Sequence, residues 1–498
     1  MGGIARDGTS GVATTVVRRH ERGSSEEKPV EAMVLVIVWS SDEPARVGEV
    51  AVLPASGAPL ILGRGPGATR ERRVAFFRQR PGTLTERPPL EASAISRRQL
   101  RFYPEHDGPR VERIGQCDLE LNGARCDAAT LRPGDVLALS GELVLYCARR
   151  PALIPPSRLF TSKQWGAFGE PDSLGIIGES PALWRLREML QFAAMAEGHT
   201  LLLGQSGTGK ELAARAIHQL SSRTGKFVSR NAATLPPGLI DAELFGNAKN
   251  YPNPGMAERP GLVGEASGGT LFLDEIGELS LELQAHLLRV LDAGEYQRLG
   301  DVLARRSTFC LVAATNRDPK LLKHDVLARF VGRVELPRLV DRREDAPLLA
   351  RHLLLRAAER SPDLAGHFIG RTDSGYAYPR LDARLVVHLL QRSYTANVRE
   401  LDALLWRSMA VSAGDHLELP PDCLEVRESR PPDAPPSAPP DATLPTPARA
   451  EATPEAIRSA LARHEGRVAD AARELGLSSR YALYRLVKKH GIDIDERP

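Results

Sequence analysis

The stretch LLLGQSGTGKELAARAIHQL, residues 201–220, allows few folds. It reads as an apolar strand, a glycine-rich turn and a helix. Gly204, Gly209 and Lys210 fit the phosphate-binding spacing G-x-x-x-x-G-K, with Gln205, Ser206, Gly207 and Thr208 between them. Glycines let backbone N–H groups approach phosphate oxygens, and the start of the helix adds the positive end of its dipole. Lys210 can reach the β and γ phosphates. Glu211 stands where a Ser or Thr hydroxyl usually meets Mg²⁺. A single such match arises by chance, so a second segment matters. GGTLFLDEIGEL, residues 268–279, is an apolar strand ending in Asp274–Glu275. That pair supplies one carboxylate to organise a metal and one to polarise an attacking water. The alternative is that both residues merely cap a helix. The two segments in this order point to ATP with Mg²⁺, held through Asp274.

At 498 residues the chain exceeds one ordinary core, and about 150 residues per domain gives roughly three domains. The net charge is only +3, so contact with nucleic acid must come from a local basic patch. The five cysteines form no metal-ligand spacing and suit a reducing cytoplasm. The longest apolar run, Ala32 to Trp39, is shorter than the ~20 residues a membrane-spanning helix needs, and it reads as a buried strand. The expected location is cytoplasmic, with no membrane partner.

The chain divides by composition into a multidomain protein. Residues 1–29, rich in Gly, Ser, Thr and charge, are expected to be disordered. Residues 33–150 alternate short β-like runs with turn residues, the pattern of an all-β sandwich. Residues 151–171 read as a linker, and 172–413 as an α/β domain with a mainly parallel sheet. A Pro- and Ala-rich spacer covers 427–452, and an all-α segment covers 453–498.

The segments GIIGESPALWRLREML, GQSGTGKELAARAIHQLS, FVSRNAATLPPGLIDAELFG, GGTLFLDEIGELSLELQAHLLRVLDAGEYQRLG, LVAATNRD and NVREL resemble the AAA+ domain of sigma-54-dependent transcriptional activators. In that family Glu normally follows the loop lysine, as Glu211 does here. The resemblance makes Asn231 the residue that restrains the catalytic glutamate until the γ-phosphate is sensed. It makes Asn316 the sensor I residue and Arg399 the sensor II residue. Asn231 can also be read as a strand-end turn residue, and Arg399 as a helix-surface charge. The family carries two inter-subunit arginines six positions apart; here Arg329 keeps the second and Lys323 replaces the first. Lysine lacks the planar fork of arginine, so ATPase activity is expected at an altered rate. The resemblance also implies a homo-oligomer, a hexameric ring.

The tail, residues 459–492, reads as helix, turn, helix. Residues 478–490 carry Arg480, Arg485, Lys488 and Lys489 and no acid, with Tyr481 and Tyr484 among them. This resembles a Fis-type helix-turn-helix, whose second helix enters the DNA major groove. A helical bundle for dimerisation is the alternative. At the other end, LGRGPG, ISRRQL, LNG and LRPGDVLAL follow in order and resemble a forkhead-associated (FHA) domain, which binds phosphothreonine. Arg64, Ser96 and Arg97 would carry that contact to a phosphorylated protein or its Ser/Thr kinase. Gln99 stands where that family has a structural histidine.

One loop departs from the resemblance. Where the activators carry Gly-Ala-Phe-Thr-Gly-Ala, whose tip touches sigma-54, this chain reads Asn250, Tyr251, Pro252, Asn253, Pro254, Gly255. Two prolines fix φ and extend the residue before each. Three readings follow. The first is an ATPase that remodels the sigma-54 RNA polymerase holoenzyme at enhancer-like DNA sites, gated by a phosphothreonine-responsive domain. The second is a DNA-binding regulator of the same stock that has lost remodelling. The third is a different AAA+ machine such as a chaperone, against which the basic tail argues.

Overall fold

A computed structural model describes residues 30–67, 71–235 and 239–423, and beyond these only 458–460, 463–464, 471, 475 and 483. The chain separates into two units, one ending at Arg427 and one beginning at Glu428. In the second unit Ala460, Ala471 and Leu483 are buried. The candidate DNA-contacting residues Arg480, Tyr481, Tyr484, Arg485, Lys488 and Lys489 lie outside the described residues, as do residues 1–29 and the Pro-rich spacer 427–452. Among the described residues no helix is long and apolar enough to cross a membrane.

The first unit opens with an antiparallel sandwich in which an eight-stranded sheet faces a four-stranded one. Strand β1 (Glu31–Ser40) runs through the middle of the larger sheet. It pairs antiparallel with Val50–Leu53 on one side and with β2 (Leu143–Pro151) on the other. Because side chains alternate across a strand, Leu35, Ile37, Leu145 and Cys147 point into the sandwich core with Leu62, Leu100 and Phe102.

A parallel five-stranded sheet follows. Its strands are β3 (His199–Leu203), β4 (Phe227–Asn231), β5 (Thr270–Asp274), β6 (Cys310–Thr315) and β7 (Phe330–Glu335), in the order β4-β5-β6-β3-β7. Helix α1 (Pro181–Met195) precedes the sheet. Its entry is fixed by Ser180, whose Oγ accepts from Leu183 N, and by proline in the first turn. Helix α2 (Lys210–Leu220) follows β3, and α3 (Leu281–Ala293) follows β5. A helical layer closes the unit: α4 (Ala346–Arg360), α5 (Ala383–Gln391) and α6 (Asn397–Val411).

The segment 151–171, expected as a linker, is packed. Ile154 and Phe160 are buried in the same core as Leu183 and Leu190 of α1. The Glu188 carboxylate accepts the backbone N–H groups of Arg158, Leu159 and Phe160 at 2.9, 2.9 and 3.2 Å. A carboxylate that collects three N–H donors fixes a chain that composition alone reads as free.

The sandwich is joined to the helical layer by a continuous apolar core. The outward face of β1 and β2, with Val34, Val36, Val144 and Tyr146, packs in one cluster with Leu348 and Leu354 of α4, Leu385 and Leu389 of α5, and Leu401 of α6. Helix α5 lies against both β1 and β2. This explains why MVLVIVW in β1 is apolar at every position: a half-solvated antiparallel strand would alternate. It also explains α5, buried at Leu385, Val386, Val387, Leu389 and Leu390, nearly all round its axis. Ion pairs frame this seam. Arg150 of β2 is buried, donates to Gln79 Oε1 at 2.6 Å and lies 3.7 Å from Glu344 Oε1. Burial pushes the Glu344 carboxyl up, and the Arg150 guanidinium opposes that shift.

Leu385→Ala should cost about 2–5 kcal/mol, the usual loss for a buried leucine truncation. Because the core is shared, hydrogen exchange should rise in β1 and β2 as well as in α5. Faster exchange confined to α5 would contradict a common core.

Candidate functional site

Strand β3 delivers Gly204 to the carboxyl edge of the sheet, where ligands of open α/β sheets bind. The turn from Gly204 to Gly209 needs left-handed backbone at Gly207 (φ +77°) and Gly209 (φ +99°), which glycine supplies without strain. Helix α2 then starts at Lys210. The Lys210 ammonium is buried, donates to Gly204 O at 3.0 Å and lies 3.6 Å from Glu275 Oε1. Strand β5 brings up Asp274, the parallel partner of Asn231 at the end of β4. Burial pushes the Asp274 carboxyl up, and Lys210 pulls it back down. Glu275 sits in left-handed geometry (φ 54°, ψ 46°), a strained setting for a residue with a side chain. Its Oε2 accepts from the backbone N–H of Asn316 at 3.3 Å.

These groups line one cavity of about 450 Å³. Its lining includes the glycine turn, Lys210, Asp274, Glu275 and Arg399, and also the apolar side chains of Ile176, Leu183, Leu186, Leu349 and Leu353. Such a lining suits a nucleotide, with N–H groups and an ammonium for phosphates and apolar side chains for a base. Among the described residues no three potential ligands cluster to cage a metal. Mg²⁺ held by one carboxylate, phosphate oxygens and waters suits a site of this kind. Glu211 turns to Arg215 on its own helix at 2.8 Å.

The helical layer reaches over the turn. Asn397, fully buried and in left-handed geometry (φ 51°), donates from Nδ2 to Ser206 O at 3.0 Å and to Gln205 Oε1 at 3.3 Å. Its Oδ1 accepts from Leu339 N at 2.8 Å. Val398 N donates to Gly207 O at 3.1 Å, and Arg399 Nη1 to Ser206 Oγ at 2.8 Å. Sequence reasoning picked out Arg399 and passed over Asn397, two residues earlier in the same NVREL segment. The signal was local, an amide at the first turn of a helix.

Other candidates are placed as follows. The side chain of Asn231 accepts from Ala233 N at 2.8 Å and so caps its own strand end, while still lining the cavity. Arg329 is half-exposed and pairs with Asp292 away from the cavity. Lys323 N donates to Gln284 Oε1 at 2.9 Å. In the sandwich, Arg64 N donates to Ser96 O at 3.2 Å, and Arg73 reaches Arg97 O at 3.1 Å and Gly63 O at 2.7 Å. Arg64, Ser96 and Arg97 therefore share one loop cluster. Gln99, fully buried, fastens that cluster: its Oε1 accepts from Ser96 N and Cys117 N, and its Nε2 donates to Cys117 O at 2.8 Å.

The rewritten loop is tied to itself. Asn250 (φ 65°) donates its N–H to Met256 O at 2.9 Å and accepts Gly255 N on Oδ1 at 3.0 Å. Buried Asn247 donates to the carbonyls of Ala248, Tyr251 and Ala257 at 3.0, 3.3 and 3.0 Å. The Tyr251 ring lies on Gly300, where a Cβ would fall 2.3 Å from its Cγ.

A Cβ at Gly207 would lie 2.0 Å from Ala396 O. Gly207→Ala should therefore lift the helical layer off the turn and weaken binding of a fluorescent ADP analogue by about tenfold or more, since left-handed geometry alone costs an L-residue roughly 1–2 kcal/mol. Unchanged affinity in a folded variant would contradict this closure.

Comparison with known proteins adds the remaining evidence. Residues 176–330 match the family described as the Sigma-54 interaction domain. The chain is 36% identical over 276 residues to a formate hydrogenlyase transcriptional activator of Salmonella typhimurium, covering 54% of this chain and 37% of that protein. It is 35% identical over 323 residues to the transcriptional regulatory protein ZraR of Escherichia coli O157:H7, covering 63% of this chain and 68% of that protein. It is 35% identical over 391 residues to the nitric oxide reductase transcription regulator NorR1 of Cupriavidus necator, covering 73% of each. The chain thus spans little more than a third of the formate hydrogenlyase activator but over two thirds of ZraR and NorR1. With a glycine turn, Lys210 and an Asp–Glu pair on one cavity of an AAA+ sheet, the chain belongs to the sigma-54-dependent transcriptional activators, regulators built around a sigma-54 interaction domain.

Proposed function

We propose that the protein is an ATP-driven regulator of transcription that binds DNA through its tail and acts on the sigma-54 form of RNA polymerase. The observation that carries this reading is the convergence of the glycine turn, Lys210, Asp274–Glu275 and Arg399 on one cavity. Lys210 and the turn N–H groups hold the β and γ phosphates. Asp274 would hold Mg²⁺, which would supply positive charge beside the phosphate oxygens. Glu275, held by the Asn316 N–H, takes the proton of the attacking water. Asn397 and Arg399 tie the turn to the helical layer, so that layer moves when the phosphates change. Subunits assemble as a ring, in which Arg329 faces a neighbour's nucleotide and Lys323 supplies a point charge in place of a second arginine fork.

The FHA-like sandwich supplies the signal. Arg64, Ser96 and Arg97 would receive a phosphothreonine from a phosphorylated protein, supported by their common loop cluster and by Arg64 Nε, buried without a partner among the described residues. The packed seam between sandwich and helical layer is the route by which that signal would reach the ATPase.

A second reading is favoured by the loop. Its closed set of hydrogen bonds and the seating of Tyr251 on Gly300 suit a rigid cap better than a lever. The protein would then regulate by binding DNA without remodelling the polymerase.

The decisive experiment is in vitro transcription with sigma-54 holoenzyme, ATP and the purified protein. Lys210→Ala should abolish nucleotide binding, and Glu275→Gln should bind ATP but turn it over about 10²–10⁴-fold more slowly. Hydrolysis by Lys210→Ala at the wild-type rate would overturn the assignment. In the loop, Tyr251→Ala should leave hydrolysis intact and abolish open-complex formation if the ring is the working contact. Open complexes formed equally by both proteins would exclude that contact. Open complexes from neither would favour the second reading.

A further inference from the structure

A second cavity, of about 290 Å³, lies in the seam between sandwich and helical layer. The sandwich contributes Val38, Trp39, Pro44 and Val47, and the helical layer contributes Leu348, Tyr378 and Leu381. Neither part forms it alone. Its body is aromatic and aliphatic, and its polar lining includes Arg351, Arg380, His416 and Asp415. Two guanidinium groups and an imidazole line it with one carboxylate, and a second carboxylate, Glu170, lies against Arg351. Arg351 is a fixed cation: Nε donates to Ala377 O at 2.8 Å, Nη2 pairs with Glu170 at 2.8 Å, and the guanidinium stacks 4.3 Å from the Tyr376 ring centroid. Arg380 is the adaptable one. Among the described residues both of its hydrogen bonds run through Nη1, to Asp415 at 2.6 Å and His367 O at 3.4 Å. Glu170 balances Arg351, so Asp415, which also accepts from His416 at 2.8 Å, is left to Arg380, whose Nε and Nη2 it does not engage.

Helix α4 separates this cavity from the nucleotide cavity. Leu349, His352, Leu353 and Arg356, at i, i+3, i+4 and i+7, line the nucleotide side. Pro347, Leu348 and Arg351, on the opposite face, line the seam side. A group that fills one side bears on the helix that closes the other.

We infer that the seam cavity binds a small organic anion with a flat apolar body, an aromatic carboxylate, and that its occupancy is coupled to nucleotide binding through α4. The ring lies against Trp39, Tyr378 and Leu381, and the carboxylate meets Nε and Nη2 of Arg380. The coupling half rests on the assignment of the nucleotide cavity; the binding half does not. Coupling of this kind is reciprocal, so each ligand must shift the other by the same factor.

The test is calorimetry on the full chain with benzoate and indole-3-acetate as probes and benzyl alcohol as the neutral control. One saturable site is expected for a carboxylate, with the alcohol much weaker. Arg380→Gln and the cavity-filling Val47→Trp should each weaken binding by about tenfold or more. Where Val47→Trp does not fold, Arg380→Gln decides. Saturating carboxylate should then shift the affinity for a fluorescent ADP analogue. No saturable heat from either carboxylate, equal binding of the alcohol, or binding indifferent to these variants would overturn the site. A saturable site that leaves ADP affinity unchanged would overturn the coupling. Failure to bind ADP without any carboxylate would count against the nucleotide cavity and leave the seam site standing.

Discussion

The structure depends on a sheet that is buried on both faces. In most antiparallel sandwiches one face of each sheet meets the core and the other meets water. Here the outer face of β1 and β2 carries Val34, Val36, Val144 and Tyr146 into a core shared with α4, α5 and α6. Each of these side chains is worth about 1.5–3 kcal/mol when fully removed from water. The sandwich is therefore a fixed part of the unit that carries the phosphate-binding turn and not a module on a tether. The packing of 151–171 against α1, through Phe160 and the Glu188 carboxylate, removes the slack that a free linker would leave.

That arrangement gives the helical layer two duties. Its α6 start holds the glycine turn through Asn397, Val398 and Arg399. Its α4 presents Leu349, His352 and Arg356 to the nucleotide cavity and Leu348 and Arg351 to the seam. Burial pushes the His352 imidazole below its ordinary range where it lines the nucleotide cavity. A displacement of α4 by phosphates on one side is felt as a change of packing on the other, because a close-packed core transmits strain.

Much of this was legible in the sequence. The phosphate turn, Lys210 and Asp274–Glu275 are contiguous motifs, and their chemistry follows from spacing. The sandwich announced itself through short β runs broken by Gly, Pro and Asn. What stayed hidden are contacts between distant segments. Asn397 reaches Ser206 across the fold, and no local pattern pairs those positions. The same is true of Arg150 with Glu344. The seam had a readable trace, the unbroken apolar run of β1, which signals two covered faces but not what covers the second. Pro-rich composition around 151–171 hid a packed segment, because composition does not register one carboxylate collecting three N–H groups. The role of Gln99 is visible only in space, as the buried amide that fastens the Ser96 loop to Cys117.

One core joins the helical layer over the nucleotide cavity to the sandwich. Hydrogen exchange of the full chain with and without a non-hydrolysable ATP analogue measures it directly. Slower exchange is expected in the 204–210 turn and in α4, together with a change in β1 and β2 of the sandwich. Protection confined to the turn, with β1 and β2 unaltered, would contradict it.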